Sequence, residues 1–148
     1  MVNDVERGFL VSELNGLRVL IVEDEALIAM MAEDMIDSLG CTVAGLASTV
    51  GDAQTALVNV KFDVAVLDVN LNGTTSMGLA TALKQRGTPF AFTTGYGANG
   101  IDAEHLDMPV LTKPYSIADL EAALITCAQK NQAAGVSSTT SITDSNRG

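Results

Sequence analysis

A doubly wound α/β fold is predicted, with a five-stranded parallel sheet covered by helices on both faces. Short apolar runs alternate along the chain with segments of helical periodicity. The runs are continuously apolar rather than alternating with polar residues, as strands buried on both sides require. Aromatic residues make up only 4% of the 148-residue chain, so aliphatic and small side chains must build the core.

The elements follow in order. Residues 17–22 form the first strand. Ile28, Met31, Met35 and Leu39 then share one helical face, and Gly40 stops that helix. The methionines at 30, 31 and 35 are read as helix packing. Residues 41–47 are the second strand. Thr49 and Asp52 open a helix in capping-box fashion, with Ala53, Ala56, Leu57 and Val60 inward. Residues 62–69 are the third strand and 75–86 the third helix. Residues 90–94 are the fourth strand, followed by a Gly-rich stretch with a short helical piece over 98–106. Its apolar anchors are Ile101 and Leu106, and its His105 reads as a surface residue. Residues 110–112 are the fifth strand. Ser116 and Asp119 cap a last helix ending near residue 130, whose inner stripe holds Leu120, Leu124 and Cys127. Residues 1–16 read as an N-terminal arm and 17–130 as the domain. Residues 131–148, rich in Ser, Thr, Gly and Asn, read as a disordered tail.

Composition narrows the function. Eighteen acidic and 8 basic residues give a net charge of −10, which argues against nucleic-acid binding. No apolar run approaches the roughly 20 residues of a membrane span, and the N-terminus lacks signal-peptide regions. A cytoplasmic location is expected. Cys41 and Cys127 have no metal-ligand spacing.

Right-handed crossovers bring every strand's C-terminal end to one edge of such a sheet, where sites form. That edge collects Glu23-Asp24-Glu25, Asp68-Val69-Asn70, Thr93-Thr94-Gly95 and Thr112-Lys113-Pro114. Clustered carboxylates repel one another, and a hard divalent cation relieves the repulsion. An aspartate is a competent nucleophile toward a phosphoryl group. An ammonium and a hydroxyl neutralise or hydrogen-bond the charge on the transferred oxygens.

The runs Val19-Leu20-Ile21-Val22-Glu23-Asp24-Glu25, Ala65-Val66-Leu67-Asp68, Thr94-Gly95 and Lys113-Pro114 resemble the bacterial response-regulator receiver over residues 17–130. Pro89-Phe90-Ala91-Phe92-Thr93-Thr94-Gly95-Tyr96 is similar to the signature of the FAT GUY receivers, mostly single-domain regulators, with Thr93 where Ala is usual. The resemblance implies the flavodoxin-like strand order 2-1-3-4-5 and Mg²⁺ as cofactor. It implies Asp68 as phosphoacceptor and metal ligand, Asp24 as direct ligand, and Glu23 acting on the metal through water. Asn70 would lend its backbone carbonyl. Thr94 would be the switch hydroxyl beside Gly95 and Tyr96, Lys113 the phosphate-binding lysine, and Pro114 the site of a cis peptide. The implied partner is a sensor histidine kinase of HWE or related HisKA type, with a phosphotransfer or target protein downstream. Two departures stand out. Asn72-Gly73 replaces the Pro-containing loop usual after the phosphoacceptor strand, and Val110 replaces an aromatic residue, so the usual rotamer switch lacks its ring.

The expected function is therefore that of a single-domain phosphorelay regulator, a signalling domain and not an enzyme on other molecules. An aspartyl-phosphate phosphatase would carry a second Asp where Asn70 stands. A phosphorylation-independent binding module is the remaining alternative. A flavin or nucleotide site lacks its glycine loop after the first strand.

Overall fold

A computed structural model describes residues 13–130. The expected tail and most of the expected arm lie outside them. At residues 13–16 the chain makes a turn that buries Leu14 and donates the Gly16 amide to the Gly40 carbonyl (2.8 Å).

Strands β1 (Arg18–Val22), β2 (Thr42–Ala47), β3 (Val64–Asp68), β6 (Phe90–Thr94) and β7 (Val110–Thr112) form one parallel sheet in the order β2-β1-β3-β6-β7. Counting only these five, the order is the expected 2-1-3-4-5. Helices α1 (Ala26–Ser38), α2 (Val50–Asn59), α3 (Met77–Gln85) and α4 (117–130) cover it.

Side chains along each strand alternate between two cores, as the pleat dictates. Leu20, Val22, Ala65, Leu67, Phe90 and Phe92 face Ala53 and Ala56 of α2 and Leu79, Ala80 and Leu83 of α3. Val19, Ile21, Val64, Val66 and Ala91 face Ala32 and Ile36 of α1 and Leu120, Leu124 and Cys127 of α4. Both predicted helix caps form, the second as a reciprocal capping box. Thr49 Oγ1 accepts the Asp52 amide at 3.0 Å, and Ser116 and Asp119 exchange bonds of 3.1 Å.

Four expectations are corrected. The buried stripe of α1 is Ala29, Ala32 and Ile36. The predicted stripe is one position off, because the longer side chains looked like the inner ones. Ile28, Met35 and Leu39 are only partly buried, while Met30 and Met31 are 60% and 50% exposed. Secondly, α3 begins at Met77. Ahead of it lies an antiparallel hairpin, β4 (Asn70–Leu71) with β5 (Thr74–Thr75), turning on Asn72-Gly73. Asn72 and Gly73 take φ values of 52° and 82°, the two-residue turn that Asn-Gly favours.

Thirdly, the helical piece over 98–106 reduces to a 3₁₀ turn, Ala103–His105, anchored by Ile101, while Leu106 is half exposed. Fourthly, His105 is fully buried rather than a surface residue. Its ring lies 6.1 and 6.3 Å from the Phe90 and Phe92 rings, in edge arrangements. Thr81 Oγ1 sits 3.2 Å from its Nε2 and donates to the Met77 carbonyl. With the Thr81 hydroxyl donating to that carbonyl, its oxygen is left to accept from an Nε2–H. The 3₁₀ turn presents one residue inward, and a polar-looking segment hid which one.

The corrected register of α1 has a direct test. Ile36→Ala should destabilise the domain by about 2–5 kcal/mol through lost burial and a cavity. Met30→Ala should stay within about 0.5 kcal/mol. Urea denaturation of both variants measures this.

Candidate functional site

The C-terminal ends of β1, β3, β6 and β7 open into a cleft of about 760 Å³. Asp24, Glu25, Asp68, Asn70, Thr94, Gly95, Tyr96 and Lys113 line it, together with Asn72, Gly73, Asn99 and Gly100. Of the residues that the sequence placed at this edge, Glu23 and Thr93 are buried outside the cleft lining, Thr112 and Pro114 line neighbouring hollows, and the rest line the cleft.

Lys113 is the hub. Its backbone amide donates to the Thr94 carbonyl at 2.8 Å, carrying the ladder one step past β7. Its ammonium lies 2.8 Å from Asp68 Oδ2 and 2.8 Å from Glu23 Oε1. Both carboxylate side chains are nearly inaccessible, 7% and 5% exposed, so the ammonium supplies charge that water does not. Burial alone would lower the Lys113 ammonium; its bonds to Asp68 and Glu23 outweigh that and hold it above its usual value. The Lys113–Pro114 peptide is cis.

Glu23 is one methylene longer than Asp, and it spends that reach inward. Its second oxygen accepts the Glu25 amide at 3.1 Å. Burial pushes its carboxyl up to about 7, opposed by the Lys113 bond. Ligand atoms of Glu23, Asp24 and Glu25 all lie within 4.8 Å of one another, a set able to hold a metal ion. Hard carboxylate oxygens suit Mg²⁺ in kind, and one or two of these carboxylates would suffice to hold it.

Asp68 and Thr94 are each tied to the loop that follows them. Asp68 Oδ1 receives a long bond from the Asn70 amide (3.4 Å). Thr94 is buried, and its Oγ1 accepts the Tyr96 amide at 3.0 Å. The Tyr96 side chain itself is 80% exposed. At Gly95 a Cβ would stand in open space, so a larger residue there would intrude on the cleft. The sequence reading did not anticipate Asn72, Gly73, Asn99 or Gly100 at the site. The Asn-Gly hairpin signal was the one available pointer. A second, apolar hollow of about 410 Å³ adjoins the cleft, lined by Ile28, Met31, Met35, Pro114 and Tyr115, and shares Glu25, Gly95 and Lys113 with it.

The raised Glu23 carboxyl gives a pH dependence of fixed sign. The folded state holds this proton more tightly than the unfolded chain, whose value is near 4.5. Its contribution is complete below 4.5 and is lost as pH rises through about 7. Without divalent cations, the native chain should lose on the order of 1–3 kcal/mol relative to Glu23→Gln between those limits. Urea titrations of both proteins across that window, in chelator, are the check.

Comparison with known proteins gives the family. Residues 19–125 match the family model described as "Response regulator receiver domain". The solution structure of SdrG from Sphingomonas melonis Fr1 is 42% identical, covering 74% of this chain and 93% of that one, with a TM-score of 0.67. The BeF3-activated conformation of SdrG from Pseudomonas melonis Fr1 is 43% identical over 73% and 95% of the two chains (TM-score 0.64). The receiver (REC) domain of the PhyR response regulator from Erythrobacter litoralis is 29% identical over 76% and 90%, with a TM-score of 0.68. No curated protein matches the sequence. No helix among the described residues is long and apolar enough to cross a membrane. With its family model spanning both the sheet and the cleft at its edge, the chain belongs to the response regulator receiver domain family.

Proposed function

We propose that this chain is a single-domain switch of a two-component phosphorelay, taking a phosphoryl group on Asp68 in a Mg²⁺-dependent reaction. The observation that carries the reading is the Asp68 carboxylate at the floor of an open cleft, with Lys113 at 2.8 Å and Thr94, Asp24 and Glu25 around it.

The residues divide the work. Asp68 attacks the phosphorus; an O–P bond forms as the donor's N–P bond breaks, and the donor imidazole keeps the electron pair. Asp24, Asp68 and the Asn70 carbonyl would hold Mg²⁺, with Glu23 behind them. The ion supplies positive charge against the phosphoryl oxygens. Lys113 is already seated on Asp68 and turns its ammonium to the new oxygens. The Thr94 hydroxyl proton is free to be donated, since its oxygen accepts from the Tyr96 amide. Turning that hydroxyl inward releases the Tyr96 amide, which couples the chemistry to the Gly95–Tyr96 loop. Val110 offers no aromatic ring for the rotamer switch that the family commonly uses, so the loop carries the change.

A sensor histidine kinase of HWE or related HisKA type is the proposed donor, in the cytoplasm, and output is by protein contact or onward relay. The apolar hollow beside the cleft and the exposed Leu27, Met30 and Met31 on α1 support protein contact over small-molecule binding. We place the domain at residues 17–130. The 42% identity to SdrG over nearly all of that chain supports this receiver-only reading.

Two outcomes are expected. With Mg²⁺ and a small-molecule phosphodonor, intact-mass spectrometry should show one added phosphoryl group, absent in Asp68→Asn and in chelator. Thr94→Ala and Lys113→Ala should fold but lose at least about half of the amide shift changes that beryllofluoride induces. Persistent acid-labile phosphate in Asp68→Asn contradicts the assignment.

A further inference from the structure

The β4–β5 hairpin stands where the family's Pro-containing loop is expected; it lines the cleft with Asn70, Asn72 and Gly73, and its turn bonds to Asp24. The Asn72 amide donates to Asp24 Oδ2 at 3.1 Å, across 48 residues of sequence. The turn that aims this amide is fixed twice. Asn72 and Gly73 both take positive φ, 52° and 82°. The Gly73 amide donates to the Asn70 side-chain oxygen at 2.7 Å, so the Asn70 amide group braces the turn from its base. Behind it, the Ser76 hydroxyl and amide both donate to the Val69 carbonyl, at 3.1 and 3.0 Å, closing the hairpin's base just after β3.

We infer that this hairpin is the positioning device for the Asp24 carboxylate: the Asn72 amide fixes one oxygen, so that the other is held toward the cation. The inference rests on the proposed reading of Asp24 as a metal ligand. Asp24 needs such a brace. It follows the end of β1 at a bend, with no helix to fix its rotamer, and its neighbours Glu23 and Glu25 repel it. A charge-assisted bond from a backbone amide is strong and directional, and partners that orient a ligand set its affinity for metal. Two segments that form separate strand ends, β1 and β3, are thereby clamped into one ligand set. Asn70 serves twice in this scheme. Its backbone carbonyl faces the cation in the proposed function, and its side chain holds the turn that aims Asn72.

The probe is Mg²⁺ alone, titrated calorimetrically into the full chain without phosphodonor, with Mn²⁺ electron paramagnetic resonance as a second readout. Asn70→Ala keeps the backbone carbonyl but removes the brace. Asn72→Val puts a β-branched side chain at a positive φ. Each should weaken Mg²⁺ about tenfold, in the range set by partners that orient metal ligands. The conservative Asn72→Gly keeps both the amide and the turn, and should rescue binding to within about twofold of the native chain, as an amide-based mechanism requires. Should Asn72→Val fail to fold, Asn70→Ala carries the test. Native affinity in Asn70→Ala and Asn72→Val, with Asp24→Asn deficient, overturns the inference and leaves the metal reading standing. A tenfold loss in Asn72→Gly overturns it as well, since the side chain and not the amide would then matter. Native affinity in Asp24→Asn removes both the inference and the reading of Asp24.

Discussion

One ammonium at the edge of the sheet holds the site together. Lys113 bridges Asp68 and Glu23 at 2.8 Å each, and neither carboxylate has much water to turn to. Burying either one unpaired would cost several kcal/mol. The position of Lys113 is fixed by the strand ladder through its amide bond to Thr94. The parallel sheet thus does more than gather strand ends. It sets the height of the one positive charge relative to two negative ones. Yet the balance is incomplete. Glu23, Asp24, Glu25 and Asp68 set four carboxylates against one ammonium. The remaining repulsion favours binding of a divalent cation and, with it, of the anionic group such a cation attracts.

The loops around this edge differ in stiffness, and the difference follows from their bonding. On one side the hairpin is closed by its own strand pairs and by the Asn70 and Asn72 contacts. On the other side, residues 95–102 contain three glycines and hold to the core mainly through Ile101, with the buried His105 beyond. Their amides make few internal bonds, chiefly Tyr96 to Thr94, Asn99 to Tyr96 and Ile101 to Ala98. Such a segment opens at low free-energy cost. A rigid wall beside Asp24 and a soft wall beside Thr94 suit the proposed function, in which a metal is held steady while a loop responds.

Much of this was legible in the sequence. The strand runs are continuous and apolar, so their number, order of appearance and C-terminal residues could be read directly. Thr49 with Asp52 and Ser116 with Asp119 announced two helix starts by local chemistry alone. Helix α1 was harder. Ala29, Ala32 and Ile36 face the sheet while Met30 and Met31 stand exposed, because close approach of helix to sheet favours small residues and long ones spread over the surface. His105 was misread for a related reason. Its neighbours Asp102, Glu104 and Asp107 are solvated, and a single inward position in a 3₁₀ turn leaves no periodicity to detect. The Asn72-Gly73 pair did carry a hairpin signal, but its contact with Asp24 depends on how two distant strands align, which no local pattern records.

A crystal structure grown with Mg²⁺ and beryllofluoride examines the account most directly. It should show beryllofluoride on Asp68, Mg²⁺ held by Asp24, Asp68 and the Asn70 carbonyl, and the Lys113 ammonium and Thr94 hydroxyl turned to fluorine atoms. Beryllofluoride absent from Asp68, or Lys113 still bridging Asp68 and Glu23 beside it, would contradict the view that this ammonium converts from bridging two carboxylates to holding the phosphoryl group.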